Sequence, residues 1–374
     1  MRTRRVMVVT GTRAEFGLLR PVMYAVNDRP ELELRVVAAG SHLVQPAVTF
    51  REVKAEFGIA DSIPMQTAGK IGRHEDVESL GKGIARFGRS LALNEPDWVV
   101  VLGDRIEAFA AACAASIGGY ALAHIHGGDR AEGVADEAMR HAITKLAHLH
   151  FPATETSAER IKRMGEDPER VQVVGSPAAD GLTHIERAGP AFLSELGNPE
   201  CLVMMHPIGR DDGVEQAAMN AVLEGVADKR TLVMHPNLDP GRRGIVRAIE
   251  EHADRVVVRE HLPRDQFVGV LKHLAASNGV VVGNSSAGLI ECAIIGCPSV
   301  DVGNRQSGRE RCDGWTLHAD ENSAAIRDAV SRVLVIPERG DHPYGDGKTG
   351  VRIAEILAST DPHAPGFVRK QCTY

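Results

Sequence analysis

The chain predicts an open α/β fold made of two Rossmann-like domains facing a central cleft. Three observations point there. Apolar runs of strand length alternate with helical stretches, a glycine-punctuated turn follows such a run once in each half, and 374 residues exceed what one ordinary core holds.

In the first half Arg5 to Thr10, Leu34 to Ala39, Asp97 to Leu102, Ala121 to Ile125, His148 to Ala153 and Val171 to Val174 read as strands. Ala108 to Ser116 and Asp136 to Leu146 between them read as helices, which makes a βαβ series and hence a parallel sheet. A Gly- and Pro-rich break at Asp180 to Pro199 precedes a second series: Cys201 to Met205, Thr231 to Met234, Arg255 to Val258, Gly279 to Val282 and Ser299 to Val302. The domains expected are 1–180, carrying catalytic acids, and 190–345, binding a nucleotide, with an amphipathic C-terminal helix within 350–374 crossing back onto the first.

Composition narrows the function. A net charge of −7 lacks the concentrated Lys and Arg that nucleic acid or an anionic membrane requires. No apolar segment approaches the ~20 residues of a membrane span, so a cytoplasmic protein is expected. Six cysteines without a CxxC pair read as small buried hydrophobes in a reducing compartment, and sixteen histidines without ligand spacing argue against a metal.

The motifs sit where runs end. GTRAEFG, Gly11 to Gly17, follows Val6 to Val9 and offers a turn with Arg13; GNSSAG, Gly283 to Gly288, repeats the arrangement with Ser285, Ser286 and Gly288 available to phosphate. Asp104 in VLGDRIE projects a carboxylate from a strand's carboxyl edge, although an Asp there also suits a helix N-cap. His124-Ile125-His126-Gly127-Gly128-Asp129 ends the next strand, and in extended chain its two histidines share a side. Core histidines would account for either, and that reading fits His124 better than His126 at the turn. Asp136 and Glu137 open a helix, where the dipole alone would favour them, or reach the same cleft. His206 follows one strand and His235-Pro236-Asn237 the next, His235 serving equally as a loop residue. Glu291 suits ribose hydroxyls, and Arg305 and Arg309 suit a diphosphate or a solvated surface.

Taken in order from Val8 to about Arg309, GTRAEFG, GSHL, GDRIEAFAAA, HIHGGD, DEAMRHAITKLAHLHF, GEDPERVQVVGSP, MMHP, GNSSAGLIE and NRQSGR resemble the hydrolysing UDP-N-acetylglucosamine 2-epimerases. The resemblance implies two Rossmann-like domains in the GT-B arrangement, release of UDP from a UDP-2-acetamido sugar with inversion at carbon 2, and a free product such as N-acetylmannosamine, a precursor of sialic acids. Close relatives in legionaminic acid pathways act on diacetamido-trideoxy sugars, some from GDP. It implies that Arg13 holds phosphate, His42 of GSHL lies near the substrate, and Asp104, Asp129 and Asp136 are catalytic or substrate-binding acids. His206 falls at the diphosphate, Ser285, Ser286 and Glu291 at phosphate and ribose, and Arg309 over the diphosphate. A dimer or tetramer is implied, and no cofactor. One position departs: the family commonly carries Glu where this chain has Asp129, a shortening of about one methylene that alters reach.

The chemistry asks for a base at carbon 2, for which Asp104 or Asp136 is favoured, and for cationic partners of the leaving diphosphate, here His206 and Arg13. Three other readings stay open: a non-hydrolysing 2-epimerase, whose usual pattern has HVEAG in place of HIHGG; a GT-B glycosyltransferase; and a silent sugar-nucleotide binding protein.

Overall fold

Every strand pairs in parallel with its neighbours, and among the described residues the strands form two six-stranded sheets. The computed structural model describes residues 2–45, 49–70, 72–130, 135–237, 239–337 and 340–373, with the side chains of Ala135, Asp136 and Thr183 outside that description. The first sheet holds β1 (Arg4–Thr10), β2 (Leu32–Ala39), β3 (Ile59–Ile63), β4 (Trp98–Leu102), β5 (Ala121–Ile125) and β6 (Leu149–Phe151) in the order β3-β2-β1-β4-β5-β6. The second holds β7 (Cys201–Met204), β8 (Thr231–Met234), β9 (Val256–Arg259), β10 (Val280–Gly283), β11 (Ser299–Val302) and β12 (Thr316–Ala319) in the order β12-β11-β10-β7-β8-β9. Read from its other edge, the second order is the first repeated. Both are the doubly wound order of a Rossmann sheet.

Central strands are apolar on both faces because helices cover both. Val6 and Val8 meet Phe16, Leu19, Val22 and Met23 of the helix Arg13–Asn27, whereas Met7 and Val9 meet Phe87, Leu91 and the alanines of the helix Ile106–Ile117. Each such valine or leucine contributes about 1.5–3 kcal/mol on leaving water. The helix Arg13–Asn27 begins at Thr12, whose hydroxyl accepts from the Glu15 N–H, while the Glu15 carboxyl accepts from the Thr12 N–H. That reciprocal cap contributes about 1 kcal/mol and fixes where β1 turns into helix.

The chain divides into two compact units, Met1–Asp129 with Ala135–Asp180 and Pro343–Tyr374, and Gly181–His342 with Arg130. In the first, the helix Thr349–Ser359 packs on the helix Arg13–Asn27 so closely that a Cβ at Gly350 would meet the Pro21 carbonyl at 2.5 Å. Asp180 caps it, accepting from the N–H groups of Thr349 at 3.0 Å and Gly350 at 2.6 Å.

Three details differ from the sequence expectation. Val171 to Val174 is not a strand: Gln172 and Val174 donate to the carbonyls of His150 and Pro152, but position 152, which should donate back, is a proline without an N–H. Edge strands β3 and β12 were not expected. Cys372 is exposed and Cys113 partly so, whereas Cys201, Cys292, Cys297 and Cys312 are buried. No helix among the described residues is long and apolar enough to cross a membrane.

Candidate active site

Each sheet reverses direction of winding between β1 and β4, or between β7 and β10. An open α/β sheet takes its ligand at the carboxyl ends of such a pair. Arg13 follows β1 and Asp104 follows β4, with His126 and Asp129 after β5. In the second unit His206 follows β7, His235 and Asn237 follow β8, Ser285, Ser286 and Gly288 follow β10, and Arg305 and Arg309 follow β11.

Asp104 is not a helix cap. Arg105 occupies the N-cap of the helix Ile106–Ile117 without a side-chain cap bond, and the Asp104 carboxylate instead pairs with the buried Arg140. Arg140, on the helix Ala135–Leu146, lies 3.8 Å from Asp129 and donates to the His126 carbonyl at 3.4 Å. Its guanidinium therefore gathers the ends of β4 and β5 into one charged cluster. The same helix stripe brings Thr144 to His124 Nδ1 at 3.1 Å, while His124 Nε2 meets the Gly103 carbonyl at 2.8 Å. His124 is fully buried, and burial pushes it down to about 3, so it is a neutral core histidine.

His126 does not continue the strand. β5 ends at Ile125, and His126 takes φ +61°, a left-handed conformation rare outside glycine, so the shared side expected for the two histidines is lost. Its Nδ1 lies 2.9 Å from Asp129 and its Nε2 2.9 Å from the Ser176 hydroxyl. Asp129 also accepts from Ser157 at 2.7 Å. Both oxygens of the shorter carboxylate thus bond within this cluster. Glu137 pairs with His141 one turn along its own helix at 3.4 Å, and the side chain of Asp136 lies outside the described residues.

At the β1 end Arg13 is half-buried and pairs with Glu52 at 2.8 Å. His42 is fully buried: its ring nitrogens meet the Thr10 and Thr49 hydroxyls, and burial pushes it down to about 4. With both nitrogens bonded it braces the β1 and β2 ends. Beneath the turn two acids are buried together. Glu107 accepts from the Ser41 N–H and hydroxyl, each at 3.2 Å, and from Gln66 at 2.7 Å. A Cβ at Gly11 would lie 2.5 Å from the Glu107 side chain, so only glycine fits there. Burial pushes Glu15 up to about 8; the Gly11 N–H that it accepts opposes this and the nearby Glu107 adds to it.

The second cluster is zipped by neutral amides. Asn284, almost fully buried, accepts from the His206 N–H at 2.7 Å and donates to its carbonyl at 2.8 Å. The Asn284 carbonyl takes Arg305 at 3.1 Å and Gln306 at 2.8 Å, and Arg309 donates to the Gln306 side chain at 2.9 Å. The Asn237 N–H donates to His206 Nδ1 at 3.3 Å, which leaves the proton of a neutral His206 on Nε2. Arg210 pairs with Glu215 at 3.0 Å and Glu321 at 2.6 Å, closing the loop beyond His206. Ser285 and Ser286 are half-exposed, and Gly288 is buried. Glu291 is buried at the start of its helix, 3.8 Å from Arg264. His235 is partly buried and lowered by that burial, and Asn237 is exposed.

The sequence left Arg140, Glu107, Ser176, Asn284 and Gln306 unassigned. A signal for Arg140 was present, since it stands one helical turn from Thr144 on the stripe that meets β5. The others lie inside quoted motifs, yet their partners come from other strands.

A sequence profile described as UDP-N-acetylglucosamine 2-epimerase matches residues 24–358. A Legionella pneumophila protein named UDP-N,N'-diacetylbacillosamine 2-epimerase (hydrolyzing) is 34% identical, over 96% of this chain and 97% of its own. A Neisseria meningitidis UDP-N-acetylglucosamine 2-epimerase is 29% identical, over 95% of each. Among solved structures, S. aureus MnaA with UDP superimposes at a TM-score of 0.79 and 21% identity, covering 95% of this chain and 96% of that one. The N. meningitidis 2-epimerase bound to UDP-GlcNAc does so at 0.79 and 19%, covering 95% and 100%, a likeness of fold. From the doubled Rossmann order, the acid cluster at β4 and β5 and the profile spanning most of its length, the chain belongs to the UDP-N-acetylglucosamine 2-epimerase family.

Proposed function

We propose that this member is a hydrolysing enzyme. It converts UDP-N-acetylglucosamine, or a UDP- or GDP-linked diacetamido-trideoxy sugar, to the nucleoside diphosphate and the free 2-epimer. The observation that carries the reading is the β5 turn, where the segment His126-Gly127-Gly128-Asp129, with His126 bonded to Asp129, replaces the Glu-Ala-Gly of the non-hydrolysing pattern. The L. pneumophila relative, whose name includes hydrolysis, supports it.

In the first step the carbon 2–hydrogen bond breaks, and its electron pair forms the double bond to carbon 1 as the carbon 1–oxygen bond breaks toward the diphosphate. Water then adds its oxygen to carbon 1 and a proton reaches carbon 2 from the opposite face. Asp104, held by Arg140 and free of capping, is the base on this reading, with Asp136 its rival, at about 10²–10⁴-fold in rate. Arg13, His206 through its Nε2–H, Arg305 and Arg309 take the leaving charge, while Ser285, Ser286 and Gly288 take phosphate and Glu291 ribose.

Proton NMR of the protein with UDP-N-acetylglucosamine in heavy water tests this. Free UDP with N-acetylmannosamine deuterated at carbon 2 is the expected result. Untouched substrate moves the assay to UDP- and GDP-diacetamido sugars, and epimerised but uncleaved nucleotide sugar overturns the hydrolysing reading.

A further inference from the structure

We propose that Ser176 is a positioning residue for the β5 turn, fixing the His126 imidazole in one tautomer and through it the seat of Arg140 and Asp104. Its role in turnover rests on the epimerase reading; the hydrogen bond does not.

The observations form one chain. An ionised Asp129 has only acceptor oxygens to offer His126, so Nδ1 carries a proton, and in the tautomer with one proton Nε2 accepts. Facing Nε2 at 2.9 Å is the Ser176 hydroxyl, whose oxygen already accepts the Ala178 N–H at 3.2 Å. In that tautomer the serine proton is the one that fills the Ser176–Nε2 bond. The ring is held at both ends, on a backbone whose φ of +61° is uncommon outside glycine. The turn that carries Ser176 is itself braced. Ser176 donates its N–H to the Tyr344 carbonyl at 2.8 Å, and a Cβ at Gly175, whose φ is +90°, would crowd that same carbonyl at 3.0 Å.

Spacing alone matches a serine, histidine and aspartate set for acyl transfer. The serine argues otherwise, because it is fully buried and its oxygen caps its own turn. What the arrangement does is mechanical. The His126 carbonyl receives Arg140, and Arg140 holds Asp104, so a loose imidazole loosens the carboxylate two contacts away. Among the described residues, the charged and titratable groups that face the ring are Asp129 on its own turn and His124 from β5, with Arg140 from the helix Ala135–Leu146 on Asp129 and on the His126 carbonyl.

The test is Ser176→Ala in the full chain, with its unfolding midpoint measured to show that it folds. Long-range proton–nitrogen NMR reads the His126 ring, identified by loss of its signals in His126→Gln. The expected result is an unprotonated Nε2 in the parent whose resonance shifts in S176A, with kcat down roughly tenfold to a hundredfold and KM within about twofold. An unmoved Nε2 resonance overturns the proposal whatever the activity. A moved resonance with unchanged kcat, in a protein that turns over a nucleotide sugar, overturns the positioning role. Absence of turnover in the parent itself would instead fail the epimerase reading, and the imidazole spectrum would still decide the bond.

Discussion

The strand ends of the two units share a strand order and differ in material. In the first, charged groups are taken out of water and set against one another: Asp104 and Asp129 around Arg140, Glu15 beside Glu107, His126 on Asp129. In the second, neutral amides bridge the ends of β7, β10 and β11 through Asn284 and Gln306, with Arg305 and Arg309 partly buried beside them, and buried Glu215 and Asp301 are each paired with an arginine, Arg210 and Arg311. Burying charge is expensive and is kept where reactivity requires it. Backbone and amide groups bind without titrating. On the proposed function, the first unit transfers the proton and the second holds the nucleotide.

The largest effect should come from Asp104→Asn, which keeps a side chain of the same size beside Arg140 and removes the base. We expect kcat to fall about 10²–10⁴-fold with KM little changed, measured by release of nucleoside diphosphate. Asn284→Ala should show the opposite split. It removes the side chain that bonds the His206 N–H and carbonyl, while the backbone carbonyl that takes Arg305 and Gln306 stays, so KM should rise roughly tenfold, a cost of about 1–3 kcal/mol, with kcat nearly intact. Equal losses of kcat in both variants would erase the division of labour.

Acidification gives a smaller contrast. Burial holds His42 and His148 at about 4 and His124 at about 3, all in the first unit. Their folded values lie below the ordinary one of about 6.5, so the unfolded chain binds more protons in that window. Stability is full above about pH 6.5 and is lost as pH falls toward 4. Glu15, raised to about 8, works in the other direction: its share is full below the ordinary carboxylate value and fades as pH rises through 8. Hydrogen exchange should show amides of the first unit opening before those of the second between pH 6.5 and 4.5. Earlier opening of the second would contradict this.

Buried central strands announce themselves in sequence as unbroken apolar runs, and β1, β4, β5, β7, β8 and β10 were read that way. Both overlooked strands, β3 and β12, are sheet edges, where one side meets solvent and IADSI or TLHA needs no apolar run. Val171 to Val174 misled for the converse reason, since its valines pack while Pro152 withholds the ladder bond. In the site, Asp104, His126 and Asp129 were legible because they stand where strands end. Arg140, Ser176 and Asn284 act through partners 36, 50 and 78 positions away, and sequence spacing does not encode such distances. The partners of His42 were equally hidden: its ring nitrogens meet Thr10 and Thr49, 32 and 7 positions away.

The measurement that tests the division most directly is calorimetric titration of UDP into Asp104→Asn and Asn284→Ala beside the parent protein. The account predicts parental affinity for the silent Asp104→Asn and roughly tenfold weaker binding for Asn284→Ala. Weakened binding in the first variant with parental binding in the second would contradict it.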